Sequence, residues 1–177
     1  MKKFLSFMIA ATLFSQAHGQ APSQTPAQQA EAYYLKGLAA EKAGDPNAAK
    51  VAYTAALKAN PNHANARYSI GQLKLNSAAI SAKGREAKFG AVMIPAFKLE
   101  DATLQEALAA LSTIIEKESK DEVVPNFILE DPKQQLSSAK ITLNLKAMPS
   151  KAVMKYLMDQ SGAKARFDEH AIVIAPK

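Results

Sequence analysis

The chain has 177 residues, 48% of them hydrophobic, with no cysteine, no tryptophan and a formal net charge of +6. That length admits about one or two domains at roughly 100–200 residues each, and the lack of cysteine excludes disulfides, thiolate nucleophiles and cysteine-ligated metal centres. The charge is uneven: residues 20–89 carry 9 basic and 4 acidic side chains, whereas residues 90–177 carry 11 and 12.

The first residues read as a secretory leader. Lys2 and Lys3 precede an uncharged, mostly apolar run from Phe4 to Phe14, and Ala17-His18-Gly19 places small residues at the two positions a signal peptidase reads. The run is too short to span a bilayer, which takes about 20 residues. Cleavage is expected after Gly19, so residues 1–19 are a signal peptide and the mature chain is periplasmic or secreted, with no transmembrane segment. Residues 20–29, QAPSQTPAQQ, lack charge and periodicity and are expected to be a flexible linker.

A helical hairpin follows. Its first helix is expected from about Ala27 to Ala43, stopped by Gly44. Asp45 can cap the second helix and Pro46 suits its first position. Asn60-Pro61-Asn62 ends that helix near Ala59, and Asn62 is the expected cap of the third. In a unit of about 34 residues counted from Ala30, Tyr33, Gly37, Ala49, Tyr53, Ala56 and Pro61 stand at the fourth, eighth, twentieth, twenty-fourth, twenty-seventh and thirty-second places. This resembles the tetratricopeptide repeat. A second unit starts at Ala64, shows Tyr68 and Gly71, then departs from the pattern, so residues 64–82 read as one long helix. The repeat-like segment is thus 30–82. A repeat and a half cannot bury its own faces, so the helix must lean on the rest of the chain or on another chain.

The resemblance implies a protein-interaction role, with Glu31, Tyr34, Leu38 and Glu41 facing a partner from the first helix and Asn65, Tyr68 and Gln72 from the third. Residues 83–90, KGREAKFG, read as a basic connector.

After the connector the periodicity changes. Residues 92–99 read as a strand, with Pro95 near its start. Thr103 and Glu106 form a capping box ahead of a stripe of Leu104, Ala107, Leu108, Leu111, Ile114 and Ile115. A short strand is expected at 126–130 and a polar loop at 131–139. Ile141, Leu143 and Leu145 then alternate with polar residues as in a half-buried strand. Pro149 opens a helix with the stripe Val153, Tyr156, Leu157 and Gln160, stopped by Gly162. Strands at 164–168 and 171–175 close the chain around a turn near Glu169. The order β-α-β-β-α-β-β makes residues 91–177 a small α+β domain.

Through FKLEDATLQEAL (97–108), ITLNLK (141–146), PSKAVMKYL (149–157) and the closing Arg166 to Ile174 hairpin, this domain resembles the secretin/TonB short N-terminal family. The resemblance implies an envelope location and a contact role, in association with a secretion or outer-membrane uptake system. The pore or receptor parts that follow such domains elsewhere are not matched here. Sheet-edge pairing is a second expected binding mode, with the strands at 141–145 and 171–175 as candidate edges.

Nothing in the sequence calls for catalysis. No Ser-His-Asp set, HExxH or Gly-rich phosphate loop is present. Asp168-Glu169-His170 are adjacent in a turn, where side chains diverge instead of converging on a metal. The expectation is a non-enzyme without cofactor or metal, whose partners are proteins and not nucleic acid. The alternative is a structural subunit that associates with further copies of itself.

Overall fold

The computed structural model describes residues 24–177. The leader and residues 20–23 of the expected linker lie outside the described residues. Helix α1 spans Pro26–Lys42 and begins inside the segment expected to be linker. The reason is local: Thr25 and Gln28 form a reciprocal capping box, and Pro26 takes the first position, where no amide hydrogen is needed. Gly44, at φ 77°, makes the left-handed turn, and the Asp45 side chain accepts from the Ala48 amide to start α2, Pro46–Ala59. Helix α3 starts at Ala64, capped not by Asn62 but by His63, whose Nδ1 accepts from the Ala66 amide at 3.2 Å. That bond leaves the proton of a neutral imidazole on Nε2, which sits 3.1 Å from Glu31 Oε2.

The third helix does not stop at Ala82. It runs to Ala91, so residues 83–90 are its last turns and no connector exists there. Two features explain the continuation. Gly84 packs against Gly44 of the hairpin turn so closely that a Cβ on Gly84 would lie 2.6 Å from the Gly44 Cα. Phe89, 1% exposed, enters the core of the α+β domain. The same helix thus packs on both halves of the chain: Leu73, Ile70 and Ile80 join Tyr53 and Ala49 of α2, while Phe89 joins the larger core. Two substitutions in α3 should have opposite signs. Gly71 has no neighbour within 4 Å of an added Cβ, so Gly71→Ala should stabilise by about 0.5–1 kcal/mol, the ordinary gain over glycine within a helix. Gly84→Ala should instead destabilise by about 1–3 kcal/mol, because backbone must move to admit the methyl group. Denaturant midpoints of the two variants check the pair.

The α+β order is as expected: β1 (Met93–Thr103), α4 (Leu104–Glu118), β2 (Phe127–Leu129), β3 (Lys140–Pro149), α5 (Ser150–Ser161), β4 (Ala163–Phe167) and β5 (Ile172–Pro176). The strands form two sheets. β1 pairs antiparallel with β3, and β5 lies between β2, to which it is parallel, and β4, to which it is antiparallel. The expected stripe of α4 is its buried face, with Leu104, Ala107, Leu108, Leu111 and Ile115 all buried. The stripe of α5 is shifted. Val153 and Leu157 are buried as expected, but Met154 and Met158 complete the face while Tyr156 is 44% exposed and Gln160 is exposed.

Gln160 has another use, because its side-chain amide pairs with the outer edge of β3. The Thr142 N–H donates to Gln160 Oε1 at 3.2 Å and Gln160 Nε2 donates to the Thr142 carbonyl at 3.1 Å. Of the two strands expected to offer an edge, β3 is one, in a two-stranded sheet, with Gln160 engaging it at Thr142; the 171–175 strand is the centre of its sheet, with both sides paired.

The join between α3 and the α+β domain is made of specific contacts. Phe89 packs on Phe127 and Phe167, at centroid distances of 6.2 and 5.5 Å. These two rings flank Ile172 in the sheet register, so Phe89 covers one end of all three strands. The buried Ser150 hydroxyl donates to the Phe89 carbonyl, and the Ser150 amide to the Val92 carbonyl. Arg85 donates to the carbonyls of Asp168 and Glu169 in the β4–β5 turn. That turn, polar in sequence, is an anchor point.

Candidate partner-binding surface

The inward row of α1 is Ala30, Tyr34, Gly37 and Glu41, spaced for one helical face. Tyr53 of α2 lies flat against Gly37, where any Cβ would strike its ring. The Tyr53 hydroxyl donates to Glu41 Oε1 at 2.7 Å. Burial, then the bond and charge of Glu41, push the Tyr53 phenol well above its ordinary pKa, so it stays a donor at any physiological pH. The Tyr34 ring lies 5.7 Å from that of Tyr53 and 5.1 Å from that of His63. Tyr34 and Glu41 therefore spend most of their side chains inside the repeat, framing Tyr53. Glu31 is exposed and tied to His63.

The other expected residues lie outward. Leu38 is 40% exposed and Tyr68 69% exposed; Asn65 is exposed and Gln72 half-buried. Two large apolar residues absent from the sequence-derived set accompany them, Leu35 at 55% and Leu75 at 79% exposure. They could have been found from spacing alone: Glu31, Leu35 and Leu38 form one row on α1, and Tyr68, Gln72 and Leu75 one row on α3.

The α3 row does not end at Leu75. Ala79, Ala82 and Glu86 continue it at three- and four-residue steps, into a mainly apolar trough of 1210 Å³. Its walls are α3 (Ala79, Ala82, Lys83), α5 (Met154, Met158) and β4 (Ala165, Phe167). Periodicity could not reveal this trough, since three segments far apart in sequence build it.

Charges at the trough are largely spent within the chain. Glu86 pairs with Lys151 at 2.7 Å, and Asp159 with Lys155 at 2.8 Å and Lys177 at 3.2 Å. Hydrogen bonds from those two lysines hold the Asp159 carboxyl below its ordinary pKa. Exposed pairs of this kind add little stability, but they engage the Glu86 and Asp159 carboxylates within the chain. Lys83 has no carboxylate partner among the described residues. Among the described residues no helix is long and apolar enough to cross a membrane.

Comparison with known proteins adds one match. No curated protein and no solved structure matches the chain. Residues 30–63, the hairpin of α1 and α2 with the His63 cap of α3, match the family model of the tetratricopeptide repeat, a module that typically mediates protein–protein interaction and not catalysis.

Proposed function

We propose that the chain is an exported protein-binding module of the cell envelope, gripping a protein partner along the outward rows of α1 and α3. The observation that carries this reading is the set of exposed apolar residues Leu35, Leu38, Tyr68 and Leu75 on two helices whose opposite faces are buried in the repeat. Contiguous exposed apolar surface marks interaction sites, and residues 30–63, which carry Leu35 and Leu38, match a repeat that typically mediates protein–protein interaction. Export is supported by the leader pattern of residues 1–19. An envelope role beside a secretion or uptake machine rests on the sequence resemblance of residues 91–177 to the secretin/TonB short N-terminal family.

The test is crosslinking in the native envelope from a photoreactive side chain at position 68, with mass spectrometry of the products. The expected result is a discrete partner, joined to a chain that lacks residues 1–19. Tyr68→Ala combined with Leu38→Ala should cut capture of that partner by roughly tenfold or more, as for aromatic and aliphatic anchors at an interface centre. A cytoplasmic pool retaining Met1 would sink the export half of the reading. Undiminished capture by the double variant would sink the binding half.

A further inference from the structure

The trough has one wall made of backbone. β4 is the outer strand of its sheet. The Asp168 amide donates to the Ala171 carbonyl at 2.8 Å and the Lys177 amide to the Gly162 carbonyl at 3.1 Å. Lys164 and Arg166 lie opposite Ala175 and Val173. Bonded and non-bonded residues alternate along an antiparallel pair, so Gly162, Lys164, Arg166 and Asp168 turn their main-chain groups toward β5. Ala165 and Phe167 therefore turn theirs away, at the free edge, and both residues line the trough.

The other edges are less suited. β3 is engaged by Gln160 at Thr142, β1 carries Pro95 and the Lys98–Glu100 ion pair, and β2 has three residues. Proline and charge of this kind protect an edge against pairing. Among the described strands, β4 is the one that combines an open edge with an apolar trough beside it.

We propose that the free edge of β4 takes up an extended segment of a protein partner as an added strand, with apolar side chains turned into the trough and acidic ones turned outward. The proposal rests on the reading of the chain as a protein-binding module but uses a different surface. The alternation follows from the two faces of β4. Ala165 and Phe167 pack inward against the core, so their neighbours on an added strand meet Met154, Met158 and Ala82. Lys164 is exposed on the outer face and has no ion-pair partner among the described residues, and Lys83 is unpaired in the trough. Opposite charges side by side on adjacent strands attract. The four carboxylates of residues 24–89 are each engaged within the chain: Glu31 with His63, Glu41 with Tyr53, Asp45 at its helix cap and Glu86 with Lys151. At the β4 side of the trough two cations without an ion pair among the described residues, Lys83 and Lys164, stand against one carboxylate of the lining, Glu169, whose only ion-pair contact is His170 at 3.7 Å.

The probe is a labelled, end-capped peptide of alternating valine and glutamate, titrated into the full mature chain with fluorescence anisotropy as readout. It should bind, and a valine–lysine peptide of the same length should bind roughly tenfold more weakly or not at all. N-methyl groups on one alternate set of amides should abolish binding, while the other set leaves it intact, because only one set faces β4. Lys164→Glu, an exposed change that leaves the fold alone, should weaken the glutamate probe by roughly tenfold. Ala165→Pro removes an edge amide and should abolish binding, with circular dichroism checking the fold. Tyr68→Ala should leave probe binding unchanged, which separates this site from the repeat surface. No binding of the glutamate probe, equal binding of the two charge types, or indifference to both N-methylated forms overturns the proposal. A dimer of the chain that Lys164→Glu dissolves makes the occupant a second copy, and overturns it too.

Discussion

Phe89→Ala should lower the stability of the chain by about 3–5 kcal/mol, the range for removing a buried ring whose cavity cannot fully collapse. Phe89 is 1% exposed and its ring sits edge-on to Phe127 and Phe167. Those rings stand on β2 and β4, either side of Ile172 on β5. Collapse into the hole would require the three-stranded sheet to move toward α3, and the Ser150 and Arg85 hydrogen bonds hold that spacing. Aromatic pairs add about 0.5–1.5 kcal/mol beyond area burial, which puts the cost toward the upper part of the range. Chemical denaturation measures it directly. A loss below about 1 kcal/mol would mean that α3 does not seat in the α+β core.

The second large effect is Leu111→Ala, expected to cost about 2–5 kcal/mol. Leu111 is 0% exposed in the middle of α4, between Leu108 and Ile115 on the same face. Lys117 lies on the solvent side of that helix, and its replacement by alanine should change stability by less than about 0.5 kcal/mol. An unmoved midpoint for Leu111→Ala would show that the helix face is wrongly assigned.

These two residues also mark what was legible in the sequence. Leu111 could be assigned to the core because its signal is local: a capping box at Thr103 and Glu106, then six apolar residues at helical spacing. The hairpin was legible for the same reason, since Gly44-Asp45-Pro46 and the residues around Pro61 carry their own stop and start chemistry. Phe89 was not legible. KGREAKFG is short, charged and contains two glycines, which reads as a break when taken alone. Its helical state comes from partners far along the chain: Gly44 against Gly84, the turn at residues 168 and 169 against Arg85, and Ser150 against Phe89.

The candidate site divides in the same way. Leu38, Asn65 and Tyr68, placed toward a partner by the repeat resemblance, are exposed. Tyr34 and Glu41 are implied by the same resemblance but are claimed by Tyr53, a residue on another helix. The edge expected at 171–175 is not one, because strand order is not encoded locally: β5, last in the chain, inserts between β2 and β4. β3 is an edge strand as expected, and Gln160 engages it at Thr142 from a helix eighteen residues later.

The unbroken α3 has a mechanical consequence. At a rise of 1.5 Å per residue its 28 residues make a rod about 42 Å long. One stretch is clamped at the hairpin turn through Gly84 and Gly44, and its far end is socketed by Phe89. A continuous rod held at both places fixes the separation between the repeat hairpin and the α+β core, so the Tyr68 surface and the trough share one rigid ruler.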